Sequence, residues 1–303
     1  MMANYRIANL GDSVPWGQGL NEPDKYDLNV QRILEGQYAS VTLTRCAHSG
    51  AVINDHGHGD GPAQGEVPVS LPTILTQCES FDASAAEVDL VLINGGINDV
   101  GVSTILNPFA VVPPLAAKVH SACHDNMLTL LEHVTAKFTK ASCRILVTGY
   151  YIIISEQSDP LGVRRLLSSH GIAPPPFLSD DDLLEPLVKR CSDFFKDSTN
   201  ELRSAVADAG DPRITFVPSG FTEANAVFVP TTSLLWGLEL DDDLDPEDPV
   251  AAARHAQCDI TFGSAIDILP RQQCYRASAG HPNPAGARQF LSQILAALGL
   301  TPQ

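Results

Sequence analysis

The run Val88-Asp89-Leu90-Val91-Leu92-Ile93, followed at once by Asn94-Gly95-Gly96-Ile97-Asn98-Asp99, decides the fold. An apolar stretch this nearly continuous and this short predicts a strand covered on both faces, as in a parallel sheet. The two glycines then end it and start a loop. Arg144-Ile145-Leu146-Val147-Thr148 repeats the pattern further along the chain. Residues 5–10, 40–46 and 214–217 complete five predicted strands. Between them the apolar residues take helical spacing, at 24–34, 114–140 and 182–209. A closing helix over 284–298 has Pro284 in its first turn.

Strands alternating with helices predict an α/β fold: a three-layer α/β/α sandwich of flavodoxin-like type with a five-stranded parallel sheet. In such a sheet a site forms beyond the carboxyl ends of the strands, where strand order reverses. Two long insertions, about 150–181 and 218–279, interrupt the alternation. The second contains an acidic run, Glu239 to Asp248, read as a solvated surface loop. Loops of this length in a compact fold usually carry function or short elements of their own. No repeat is visible, so residues 1–303 read as a single domain with insertions.

Composition narrows the functions. The 303 residues are 44% hydrophobic and 18% charged, enough to build a core. With 19 Lys and Arg against 36 Asp and Glu, the net charge is −17. Such a chain repels phosphate backbones and anionic lipid surfaces, so no nucleic-acid partner is expected. No apolar run approaches the ~20 residues of a membrane span. The first residues carry no leader pattern, which predicts a cytoplasmic chain unless a leader was removed. Seven scattered cysteines, an odd number without a CxxC pair, exclude zinc ribbons and redox motifs. Cys258 and Cys274 bracket a loop-like stretch and are the one pair that could be bridged.

Four short segments fall at strand ends or in loops beside them: Gly11-Asp12-Ser13, Ser49-Gly50-Ala51, Gly96-Ile97-Asn98-Asp99 and Gly280-His281-Pro282-Asn283. Each alone would pass for a turn or a helix cap. Their order along the chain resembles that of the SGNH (GDSL-type) hydrolases, in particular bacterial lipase- and esterase-like members, over essentially the whole length. The resemblance implies a serine esterase needing no cofactor and no metal, acting on a small-molecule or lipid ester. Ser13 would be the nucleophile and His281 the general base. The Ser13 and Gly50 amides and the Asn98 side chain would form the oxyanion hole. Ester hydrolysis needs these roles: a nucleophile, a base for its proton, and donors for the developing charge. A carbohydrate O-acetylesterase and a non-catalytic binding member are the alternatives.

One position departs from the family pattern. Three residues before the histidine the family usually has Asp; here it is Ser278. A backbone carbonyl could orient His281, a carboxylate such as Asp259 or Asp267 could replace the missing one, or activity could be low. The intact remainder favours the first, a Ser–His dyad. Asp12 and Asp99 are expected to brace backbone rather than to react. Trp16, three residues after Ser13, is expected at the pocket edge. The apolar residues Phe221, Val227, Phe228, Val229, Leu234, Leu235, Trp236 and Leu238 either cover the sheet edge or line the site. Asp55-His56-Gly57-His58-Gly59-Asp60 is read as a flexible polar segment rather than a metal loop. His120 and His124 share a helix face but lack the zincin glutamate, and are read as solvated or packed.

Overall fold

A computed structural model describes residues 4–54, 73–82, 84–109, 114–175, 177–238, 248–262 and 268–301. The His56–His58 segment, Asp267 and the acidic run up to residue 247 lie outside them. Five strands, β1 (Asn4–Gly11), β2 (Ser40–Arg45), β3 (Leu90–Asn94), β4 (Arg144–Thr148) and β5 (Ile214–Val217), form one all-parallel sheet in the order β2-β1-β3-β4-β5. Every residue of β3 is buried, as a strand covered on both faces requires.

The helices are α1 (Ser13–Trp16), α2 (Tyr26–Glu35), α3 (Ile74–Glu79), α4 (Ile97–Val100), α5 (Val102–Leu106), α6 (Leu115–His120), α7 (Met127–Lys137), α8 (Pro160–Ser169), α9 (Asp180–Asp208), α10 (Ala251–Phe262), α11 (Ile268–Tyr275) and α12 (Pro284–Leu298). Among them α2 packs against α12, while α3, α6, α7 and α9 pack among themselves. Right-handed crossovers place two such groups on opposite faces of the sheet. The strand order reverses at β1 and β3, so the loops after these strands meet at one edge.

Both insertions carry helices. The first holds α8, capped by Asp159, whose carboxylate accepts the Gly162 amide at 2.8 Å. The second holds α10 and α11, joined by a Cys258–Cys274 disulfide. Closing a loop of sixteen residues stabilises the fold by about 3 kcal/mol through the entropy of the unfolded chain. The single helix expected over 114–140 is divided: α6 and α7 flank a π turn, Ser121–Asn126.

Candidate active site

Gly11 ends β1 with φ +142°, and a Cβ there would lie 2.5 Å from the Asn94 carbonyl oxygen. Only glycine lets β1 and β3 approach this closely before the chain turns. The Gln77 side chain clamps that turn, accepting the Gly11 amide at 2.8 Å and donating to its carbonyl at 3.0 Å. Asp12 caps α1 by accepting the Val14 amide at 2.9 Å. Its other oxygen accepts the Tyr150 hydroxyl at 2.7 Å, while that hydroxyl also accepts the Ile97 amide at 3.0 Å. Tyr150 therefore ties the Ser13 turn to the Asn98 loop. Burial pushes the Asp12 carboxyl up to about 6, partly offset by these bonds.

Asp99 braces a second joint. It accepts the Ile53 amide at 3.1 Å and the Asn126 side-chain amide at 3.3 Å, and burial pushes its carboxyl up to about 6. Asp12 and Asp99 thus act on backbone, as expected from the sequence. Asn98 donates one amide hydrogen to the Ala51 carbonyl at 2.9 Å. An Asn side chain has two donor hydrogens, so the second is left for the cleft. Gly50 sits at φ +79° in the turn after β2, a conformation natural to glycine. Ser13 is the first residue of α1, and its amide has no intrahelical acceptor.

His281 Nε2 lies 2.7 Å from Ser13 Oγ across 268 residues of sequence. The segment carrying it is held on three sides. Trp236 exchanges backbone bonds with it, donating to the His281 carbonyl at 2.8 Å and accepting from Gly280 at 2.9 Å. The Tyr151 hydroxyl donates to the Gly280 carbonyl at 3.0 Å. Asn283 caps α12, accepting the Ala285 and Gly286 amides at 3.0 Å each. A Cβ at Gly286 would lie 2.2 Å from the Leu234 carbonyl, so glycine is required where α12 meets this segment. The apolar run of the second insertion therefore buttresses the histidine loop instead of lining the cleft: Leu235 bridges to Pro282, and Trp236 packs with Leu20 and Ala287.

His281 Nδ1 is buried and short of a full hydrogen bond; the backbone of Ser278 and Ala279 acts on the ring, on the side of the backbone-oriented dyad, and among the described residues no carboxylate does. Burial pushes the ring down to about 4; the backbone of Ser278 and Ala279 opposes this, while the Arg254 cation reinforces it. Asp259 is engaged elsewhere, accepting the Tyr275 hydroxyl. The carboxylate behind Ser278 is Asp248. The sequence places it at the end of a solvated acidic run, yet its side chain is fully buried and paired with an equally buried Arg254. Ser278 Oγ donates to Asp248 at 2.6 Å and accepts from Arg254 Nη2 at 3.1 Å. Arg254 Nε donates to the Tyr275 carbonyl at 3.0 Å. Where the family pattern has an acid, this chain has a hydroxyl backed by an ion pair.

Ser13, Gly50, Asn98 and His281 border one cleft of about 300 Å³. Val102, Leu106, Tyr151, Ile153 and Leu166 form its apolar wall, with His170 and Arg276 at its polar side. Burial pushes the His170 imidazole down to about 4. Trp16 does not border this cleft. Its ring turns toward Lys25, whose Nζ lies 4.7 Å from the ring centre, and toward Arg45 and His48. Two cations over the indole face hold it there.

No family model and no curated protein matches the chain. Among solved structures, the lipase Lip_vut3 from a goat rumen metagenome aligns over 97% of each chain, with a TM-score of 0.52 at 14% identity. The chain shares the fold of this lipase. Two further similar structures are less closely superposed. A mutant of the acetylxylan esterase Axe2 from Geobacillus stearothermophilus covers 100% of this chain and 99% of its own, with a TM-score of 0.49 at 13% identity. A GDSL-like lipase from Bacteroides thetaiotaomicron covers 97% and 87%, with a TM-score of 0.40 at 12% identity. Around the cleft, the residues that sequence reasoning missed are Tyr150, Tyr151, Asp248 and Arg254. The tyrosines had a signal, since they directly follow β4 at the carboxyl edge of the sheet. The ion pair had none.

Proposed function

We propose that this chain is a serine esterase acting on esters with an apolar acyl group. The observation that carries the reading is the 2.7 Å approach of Ser13 Oγ to His281 Nε2 at the mouth of an apolar cleft. A neutral imidazole accepts the hydroxyl proton as Ser13 Oγ attacks the carbonyl carbon. The oxyanion then forms among the Ser13 amide, the Gly50 amide and the second amide hydrogen of Asn98. Collapse of the tetrahedral intermediate breaks the ester C–O bond, and the imidazolium returns its proton to the departing alcohol. Water, deprotonated by the same ring, hydrolyses the acyl-enzyme.

The Asp248–Arg254–Ser278 unit anchors the loop that presents His281, while the apolar wall favours an acyl chain over a sugar. Residues 1–303 act in this reading as one domain. The Cys258–Cys274 disulfide favours an oxidising compartment, and so a secreted setting over the cytoplasmic one. The test is hydrolysis of p-nitrophenyl esters from acetate to octanoate by wild type and Ser13→Ala. The expected result is a kcat/KM that rises beyond acetate and falls at least ~10³-fold in the variant. Preference for acetate alone would favour deacetylation, and full activity in Ser13→Ala would dismiss this nucleophile.

A further inference from the structure

We propose that His120, His124 and Asp125, at the π turn between α6 and α7, form a binding site for a divalent transition metal such as zinc. A π turn widens the helix locally and is found most often where function requires it. Here it sets the His120 and His124 rings face to face, 4.9 Å apart and 8° from parallel.

Each ring has one nitrogen engaged by a carboxylate of α9. His120 Nδ1 lies 2.9 Å from Glu201 Oε2, and His124 Nε2 lies 2.9 Å from Asp208 Oδ2. Carboxylates in this position behind a metal-binding histidine fix its tautomer and raise its basicity. The opposite nitrogens converge on one oxygen. Asp125 Oδ1 is 2.8 Å from His124 Nδ1 and 3.6 Å from His120 Nε2. One donor atom from each of the three residues lies within 4.8 Å of the others. Metal–ligand bonds of 2.0–2.1 Å in a tetrahedron separate donors by about 3.3 Å, so these spacings bracket the required edge.

Two imidazoles and one carboxylate suit zinc, cobalt, nickel or copper and disfavour magnesium and calcium. Five side chains, from α6, the π turn and α9, take part, and none of them borders the cleft. The site is therefore independent of the ester chemistry. It does connect to the fold: Asn126, which closes the π turn, is the residue that donates to Asp99.

Zinc titrated by calorimetry into the full, chelator-treated chain should give one saturable site per chain, with magnesium giving none. His120→Ala/His124→Ala should lose at least ~100-fold in affinity. Glu201→Gln should weaken binding about 10–100-fold at unchanged stoichiometry, the mark of an outer carboxylate. Cobalt in place of zinc should give the visible absorption of a tetrahedral site, absent from the double variant. Each variant is compared at equal thermal stability, which the exposed position of His120 allows. The proposal is overturned if wild type binds no zinc saturably. It is equally overturned if binding survives the double variant and disappears instead in His56→Ala/His58→Ala.

Discussion

Ser278→Asp restores the acid that the family pattern has at this position, and the structure says that it will harm this chain. Ser278 is buried, and its Oγ lies 2.6 Å from Asp248 Oδ2. A carboxylate there would face another at about 3 Å, a repulsion of roughly 5.5 kcal/mol at an effective dielectric of ~20. The cheaper escape is to protonate one of the two, which costs about 4 kcal/mol at pH 7 for a carboxyl whose ordinary pKa is ~3.9. The variant should therefore lose about 4 kcal/mol, or roughly 8–16 °C in Tm. The sign with pH follows from the raised folded-state pKa. The folded variant binds the extra proton and the unfolded chain does not, so the variant's stability falls as pH rises above ~4. By the same arithmetic the penalty shrinks to about 1.5 kcal/mol at pH 5. Thermal unfolding at pH 5 and pH 7 measures both values. Ser278→Asp/Asp248→Asn, which leaves a single carboxylate beside Arg254, should recover most of the loss. A Ser278→Asp variant within ~1 kcal/mol of wild type at pH 7 would refute the contact between Ser278 and the ion pair.

Asn98→Ala should lower kcat by about 10²–10³-fold with a smaller change in KM, because the amide bonds the developing oxyanion more strongly than the ground-state carbonyl; a loss confined to KM would make Asn98 a binding residue only. His281 must be neutral to accept the Ser13 proton, and burial and Arg254 hold it down to about 4. The acid limb of kcat/KM should accordingly fall near pH 4, and a limb between pH 6 and 7 would mean that the ring is not held in this environment.

The five strands and the four segments at the sheet edge were legible because their signals are local. A buried parallel strand is a short apolar run, and a loop that needs a backbone turn contains glycine. The histidine loop was legible as a position and not as an environment. Ser278 marks a missing carboxylate, but which group stands behind it depends on contacts across 30 residues. Asp248 closes a run of acids whose simplest reading is solvation, and nothing in that run shows that Arg254 will be buried with it. Trp16 was misplaced for a similar reason: Lys25 and Arg45, which draw its ring away from the cleft, come from separate elements. The apolar stretch around Trp236 reads equally as cover or as pocket wall. Only its backbone pairing to His281 and Gly280 decides for a buttress.

An activated Ser13 hydroxyl reacts covalently where an ordinary serine does not. The full chain is treated with a fluorophosphonate at pH 7, digested, and its peptides mapped by mass spectrometry. One phosphonyl adduct is expected, on Ser13, absent from Ser13→Ala and strongly slowed in His281→Ala, which lacks the group that accepts the hydroxyl proton. An unmodified Ser13, or an adduct on any other residue, would contradict the role of Ser13 as nucleophile.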